Sequence, residues 1–108
     1  MAWTVIVSDK AEADLFAIRE YITGRAGEAV ALRFIERIET YCLGFSTVPE
    51  RGTRRDDLRP GLRTVGFRRR ATILFEVDHK KHQVVIHGVY YAGRSFEREA
   101  NDDDQPGE

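Results

Sequence analysis

The sequence predicts a small α+β domain, a helical hairpin followed by an antiparallel sheet, and three observations predict it. A short strand-like run stands at Trp3 to Val7, two amphipathic stretches of helical period follow between Ala11 and Phe45, and apolar side chains alternate between turn residues from Leu62 to Tyr91. At 108 residues the chain has the size of one domain and can bury a core without staples.

The first strand feeds a helix directly. Ser8 or Asp9 can cap its N-terminus, and Glu12 stands three residues after Asp9, the spacing of a capping box. Ala11, Leu15, Ile18 and Ile22 form one apolar stripe, and the helix is expected to end near Gly24 or Gly27. A second stripe of Ala31, Phe34, Ile35, Ile38, Cys42 and Phe45 begins at once, so the two helices are expected as antiparallel neighbours.

Pro49 stops further helix, and Ser46 to Gly61 reads as a polar loop punctuated by Gly52 and Pro60-Gly61. Three strands are then expected, Leu62 to Phe67, Thr72 to Val77 and Val84 to Tyr91, the last two joined by the polar turn Asp78 to His82. In the middle strand Ile73, Phe75 and Val77 share one face, and Thr72, Leu74 and Glu76 share the other. The last strand carries apolar side chains on both faces, Val84 and Ile86 opposite Val85 and Val89, unless a bulge at Gly88 shifts the alternation. Two helices cover only one face of such a sheet, so the pattern calls for a partner on the other.

The formal charge of -1 conceals a segregation. Residues 1 to 96 carry 16 Lys+Arg against 12 Asp+Glu, a balance of +4, and Arg51 to Arg70 hold eight arginines against Asp56 and Asp57 alone. This local excess of +6 points to an acidic surface as partner, whether phosphate or carboxylate. The acidic stretch 97–108 lacks large apolar residues and is expected to be a flexible tail beside a domain spanning 1–96. No run is long and apolar enough for a membrane span, the start does not read as a secretory signal, and a cytoplasmic location is expected. Cys42 is the single cysteine and is read as a core thiol, which excludes an intrachain disulfide and a cysteine-based zinc site.

No Walker loop, G-x-G-x-x-G, H-E-x-x-H or G-x-S-x-G motif is present, and no cofactor or metal is expected. His79 and His82 fall in a polar turn without further ligands and read as solvated. His87, Tyr90, Tyr91 and Arg94 could support RNA cleavage by general acid and base, yet alternation puts His87 and Tyr91 on one face and Tyr90 on the other. Arg63, Arg68, Arg69 and Arg70 flank a turn between strands, and Arg51, Arg54, Arg55 and Arg59 precede them, which favours a binding role.

A family resemblance spans Val5 to Arg94. Val5-Ile6-Val7-Ser8, then Ala11, Asp14-Leu15, Ile18 and Tyr21-Ile22, then Ala31, Phe34 and Ile38, Pro49 with Gly52, Gly61-Leu62-Arg63, Ile73 to Val77, and Val85 to Val89 with Tyr91 and Arg94 together resemble the ParE/RelE superfamily of toxins from toxin-antitoxin systems. The resemblance implies a β-α-α-β-β-β fold and a ParD-like antitoxin that covers apolar surface, here expected at Leu74, Val84, Ile86 and Tyr90. It also implies one of two activities, inhibition of DNA gyrase by binding or cleavage of messenger RNA on the ribosome. Pro49 to Gly52, Gly61 to Arg63 and the scarcity of lysine look more like the gyrase-inhibiting ParE branch. The eight arginines from Arg51 to Arg70 are then the expected target-binding set, while the ribonuclease alternative would draw on Arg63, Arg70, His87, Tyr91 and Arg94. A non-toxic relative that only binds antitoxin is the third possibility.

Overall fold

The computed structural model describes residues 2–91. Their order is β1 (Thr4–Val7), α1 (Asp9–Ala26), α2 (Glu28–Leu43), a single 3-10 turn at Gly44–Ser46, β2 (Thr53–Arg54), β3 (Leu62–Phe67), β4 (Ala71–Asp78) and β5 (Gln83–Tyr91). Ser8 caps α1, its hydroxyl oxygen accepting the Ala11 N–H at 3.1 Å. Gly27, at φ 97, closes α1 and opens α2, so one residue makes the hairpin connection.

The sheet has five strands in the order β1-β5-β4-β3-β2. It is mixed and not purely antiparallel as expected, because β1 lies beside β5 and parallel to it, Val5 against Val84 and Val7 against Ile86. No hairpin joins these two strands, so nothing local in the sequence reports their direction. The long loop also differs from expectation: Thr53–Arg54 adds a short edge strand to β3. Gly52 permits the approach, since at φ 71 a Cβ there would stand 2.1 Å from the Thr64 carbonyl oxygen.

Both helices cover one face, over a core that includes Ile38, Phe45, Ile73, Phe75, Val84, Ile86 and Val89. The opposite face holds a smaller cluster, Leu62, Leu74 and Tyr90, with Leu58 of the preceding loop packed on it. The alternation in β4 agrees with the sequence reading, and the irregularity in β5 resolves its ambiguity. Leu74 pairs with Gly88 and Phe75 with Ile86, so His87 is an extra residue and a bulge lies there. The bulge brings Val89 to the helix-covered face with Val84 and Ile86, which removes most of the uncovered apolar surface that strict alternation implied. Among the described residues no helix is long and apolar enough to cross a membrane.

Candidate macromolecular interface

The eight arginines from Arg51 to Arg70 divide by what they already hold. The Arg51 guanidinium donates to the carbonyls of Val48 and Gly44, both at 3.0 Å, and lies 4.9 Å from the Tyr41 ring and 5.1 Å from that of Phe45. Arg63 donates to the Arg51 carbonyl at 3.0 Å from the half-buried side of β3. These two hold the loop against the domain. Arg54 binds Asp56 at 2.8 Å, and Arg55 forks onto both Asp57 oxygens at 2.9 and 2.8 Å. The Gly61 N–H, with Arg54 beside it, holds the Asp56 carboxyl below the usual range, and Arg55 does the same for Asp57.

Arg59, Arg68, Arg69 and Arg70 are exposed and form no ion pair among the described residues. The last three make the β3–β4 turn, closed by the Arg70 N–H donating to the Phe67 carbonyl at 3.1 Å. Arg68 and Arg69 both have positive φ, 53 and 60. Arg68 stacks 5.5 Å from the Phe67 ring. Beside it a cleft runs between the turn and α2, lined by Glu36, Arg37, Thr40, Tyr41, Phe67 and Arg68. Arg37 lies outside the apolar stripe of its helix, and only the fold shows that it faces the turn.

Among the described residues, those expected for RNA cleavage do not converge. His87 stands on the face away from the helices, Nε2 2.9 Å from Glu76 Oε1. The bulge sends Tyr91 to the other face, where its ring packs 5.8 Å from Tyr21 and 5.3 Å from Phe34. Arg63 is committed to the loop, Arg70 sits at the far end of β4, and Arg94 lies outside the described residues. Tyr90 is nearly buried, its hydroxyl 2.9 Å from the Lys10 ammonium. His79 and His82 pack on Trp3, with His82 stacked at 4.0 Å and His79 edge-on at 5.2 Å, and not simply in solvent as the turn composition suggested. No group of three or more metal-ligating side chains occurs among the described residues.

The residues expected to face an antitoxin need correction. Val84 and Ile86 are 0% and 1% exposed beneath the helices, and Leu74 and Tyr90 are covered from the other side in part by Leu58. An apolar groove of about 300 Å³ lies elsewhere, between the helices and edge strand β1, while Phe16 and Val48 are exposed outside it. Val5, Val7, Ile86 and Val89 line it from the sheet and Leu15 and Leu43 from the helices, with Glu12 and Glu39 among its lining. Leu43, exposed at 65%, extends it toward solvent, and the parallel pairing of β1 leaves its outer edge open. Sequence reasoning missed this groove because β1 was not placed at an edge.

The family model described as ParE toxin of type II toxin-antitoxin system, parDE, matches residues 5–96. Among solved structures, the chromosomal ParDE system of P. aeruginosa superposes with TM-score 0.72 at 24% identity, over 84% of this chain and 97% of that one. A RelBE toxin-antitoxin complex from Mycobacterium tuberculosis follows with TM-score 0.62 at 20% identity, covering 87% and 95%. The isolated E. coli RelE toxin superposes with TM-score 0.60 at 16% identity, covering 88% and 89%. No curated protein sequence matches.

Proposed function

The chain belongs to the ParE toxin family of type II toxin-antitoxin systems, and we propose that it arrests growth by binding DNA gyrase in the cytoplasm and is neutralised by a ParD-like antitoxin. The observation that carries the binding reading is the parting of the candidate ribonuclease residues. The bulge at His87 sets that imidazole and Tyr91 on opposite faces, and Arg63 is bonded into the loop. General acid–base chemistry needs its groups within reach of one substrate, whereas a binding toxin needs only an accessible, charged surface. Arg59 and Arg68 to Arg70 supply that surface.

The groove beside β1 is the antitoxin site in this reading. An apolar floor next to an open strand edge suits an extended or amphipathic segment that buries side chains and adds main-chain hydrogen bonds. Glu12 and Glu39 favour basic residues in that segment. Expression without antitoxin is expected to stop growth, and purified toxin to inhibit supercoiling of plasmid DNA by gyrase. Supercoiling left intact at excess toxin, together with fresh cuts in translated messages, would replace this reading with the ribonuclease. Normal growth would make the chain a non-toxic relative.

A further inference from the structure

The β3–β4 turn contradicts every local preference for its position. Within the three-residue connection between the paired Phe67 and Ala71, the β-turn closed by the Arg70 N–H has positive φ at both central residues, a geometry that favours Asn-Gly and that costs a side chain such as arginine conformational strain. Here Arg68 and Arg69 occupy both positions, followed by Arg70, so strain and like-charge crowding coincide. No carboxylate pairs with any of the three among the described residues. Strain held at an exposed, unpaired charge cluster is the mark of a functional contact and not of folding.

The surroundings indicate the chemistry of that contact. The exposed Arg68 guanidinium lies over the Phe67 ring, 5.5 Å from its centroid, and Arg37 lines the same cleft from α2. Lysine is absent from this whole region, and the forked donors of arginine match carboxylates and phosphates alike. Nucleic-acid surfaces, however, usually go with a strongly basic chain and a broad cationic face. Residues 1 to 96 carry a balance of only +4, and Glu36 stands in the cleft itself.

We propose that Arg68, Arg69 and Arg70, with Arg37 across the Tyr41–Phe67 cleft, form a compact docking surface for a carboxylate-rich protein segment of the target. The inference rests on the reading of the chain as a binding toxin and centres the contact on the turn and one helix position, leaving Arg59 as an outlying member of the same charged surface.

The test separates folding, partner chemistry and target. The Arg68→Asn/Arg69→Gly variant installs the preferred turn and removes both charges. Its melting temperature is expected to rise by several degrees while its inhibition of gyrase falls at least tenfold. In parallel, a poly-glutamate peptide and a single-stranded oligonucleotide of equal charge are titrated at low salt into wild type and variant. Wild type is expected to bind the peptide more tightly than the oligonucleotide, and the variant to lose the peptide. Arg68→Lys/Arg69→Lys retains charge without the fork and is expected to fall between the two. A more stable variant with full potency and unchanged peptide binding overturns the proposal, as does tighter binding of the oligonucleotide. If wild type fails to inhibit gyrase, the gyrase reading fails alone, and the peptide titration still decides the surface.

Discussion

The carboxylate of Asp14, in the second turn of α1, accepts the backbone N–H of Val89 in β5 at 2.9 Å. Strand β1 ends at Val7, so beyond it β5 has no neighbour on that side. Asp14 takes the place of the missing strand, and Lys10 holds the same carboxylate oxygen at 2.8 Å.

Asp14→Ala leaves a ladder N–H without its acceptor, and we expect a loss of about 1–3 kcal/mol. Asp14→Asn keeps an acceptor oxygen and should lose less. Urea denaturation of the three proteins gives the order. Equal midpoints for alanine and asparagine would show that charge toward Lys10 matters and the Val89 contact does not.

Arg51 and Arg59 were equivalent in the charge count and are not equivalent in the fold. Arg51→Ala removes two bonds to carbonyls and a guanidinium packed on two rings, with an expected cost of about 1–3 kcal/mol. Arg59→Ala and Arg54→Ala should stay within about 0.5 kcal/mol, because both side chains are exposed and surface ion pairs contribute little. In supercoiling assays the pattern should reverse for Arg59. A stable Arg51→Ala protein would return that residue to the target-binding set.

The helices, the four main strands and the faces of β4 were legible because each rests on a local period, and Ser8 and Gly27 carry recognisable end signals. The direction of β1, the groove beside it and the placement of Arg37 across a cleft from the β3–β4 turn were not, because each depends on which elements meet across long sequence separations. Gly88 did suggest the bulge, and the arginine count found the charged region. Neither could say that His87 would part from Tyr91, or that Arg51 and Arg63 would be spent inside the loop.

Burial pushes the Cys42 thiol up from 9.0 to about 11, Glu39 adding to the effect and Arg51 opposing it. The folded chain therefore holds the proton more tightly than the unfolded one. The associated stability is fully present below pH 9.0 and is lost as pH rises toward about 11. Cys42→Ala should flatten that alkaline slope in pH-dependent melting, whatever it costs in packing. The native thiol should also resist a disulfide reagent at pH 8 until denaturant is added. Rapid reaction of the native protein would contradict its burial.

Gly52 and Gly24 offer a paired test of loop geometry. At Gly52 an added Cβ meets the Thr64 carbonyl oxygen at 2.1 Å and the backbone has φ 71, so Gly52→Ala must push β2 off β3 or change conformation. The conformational cost alone is about 1–3 kcal/mol, and the clash adds to it. At Gly24, inside α1, nothing lies within 4 Å of the added methyl. Gly24→Ala should therefore stabilise the protein by about 0.5–1 kcal/mol through helix propensity. Thermal melts are expected to move in opposite directions for two chemically identical substitutions. Because the loop that begins at Gly52 carries Arg59, Gly52→Ala should also weaken target inhibition, whereas Gly24→Ala should leave it unchanged. A Gly52→Ala protein with unaltered melting would mean that β2 does not close on β3 in solution.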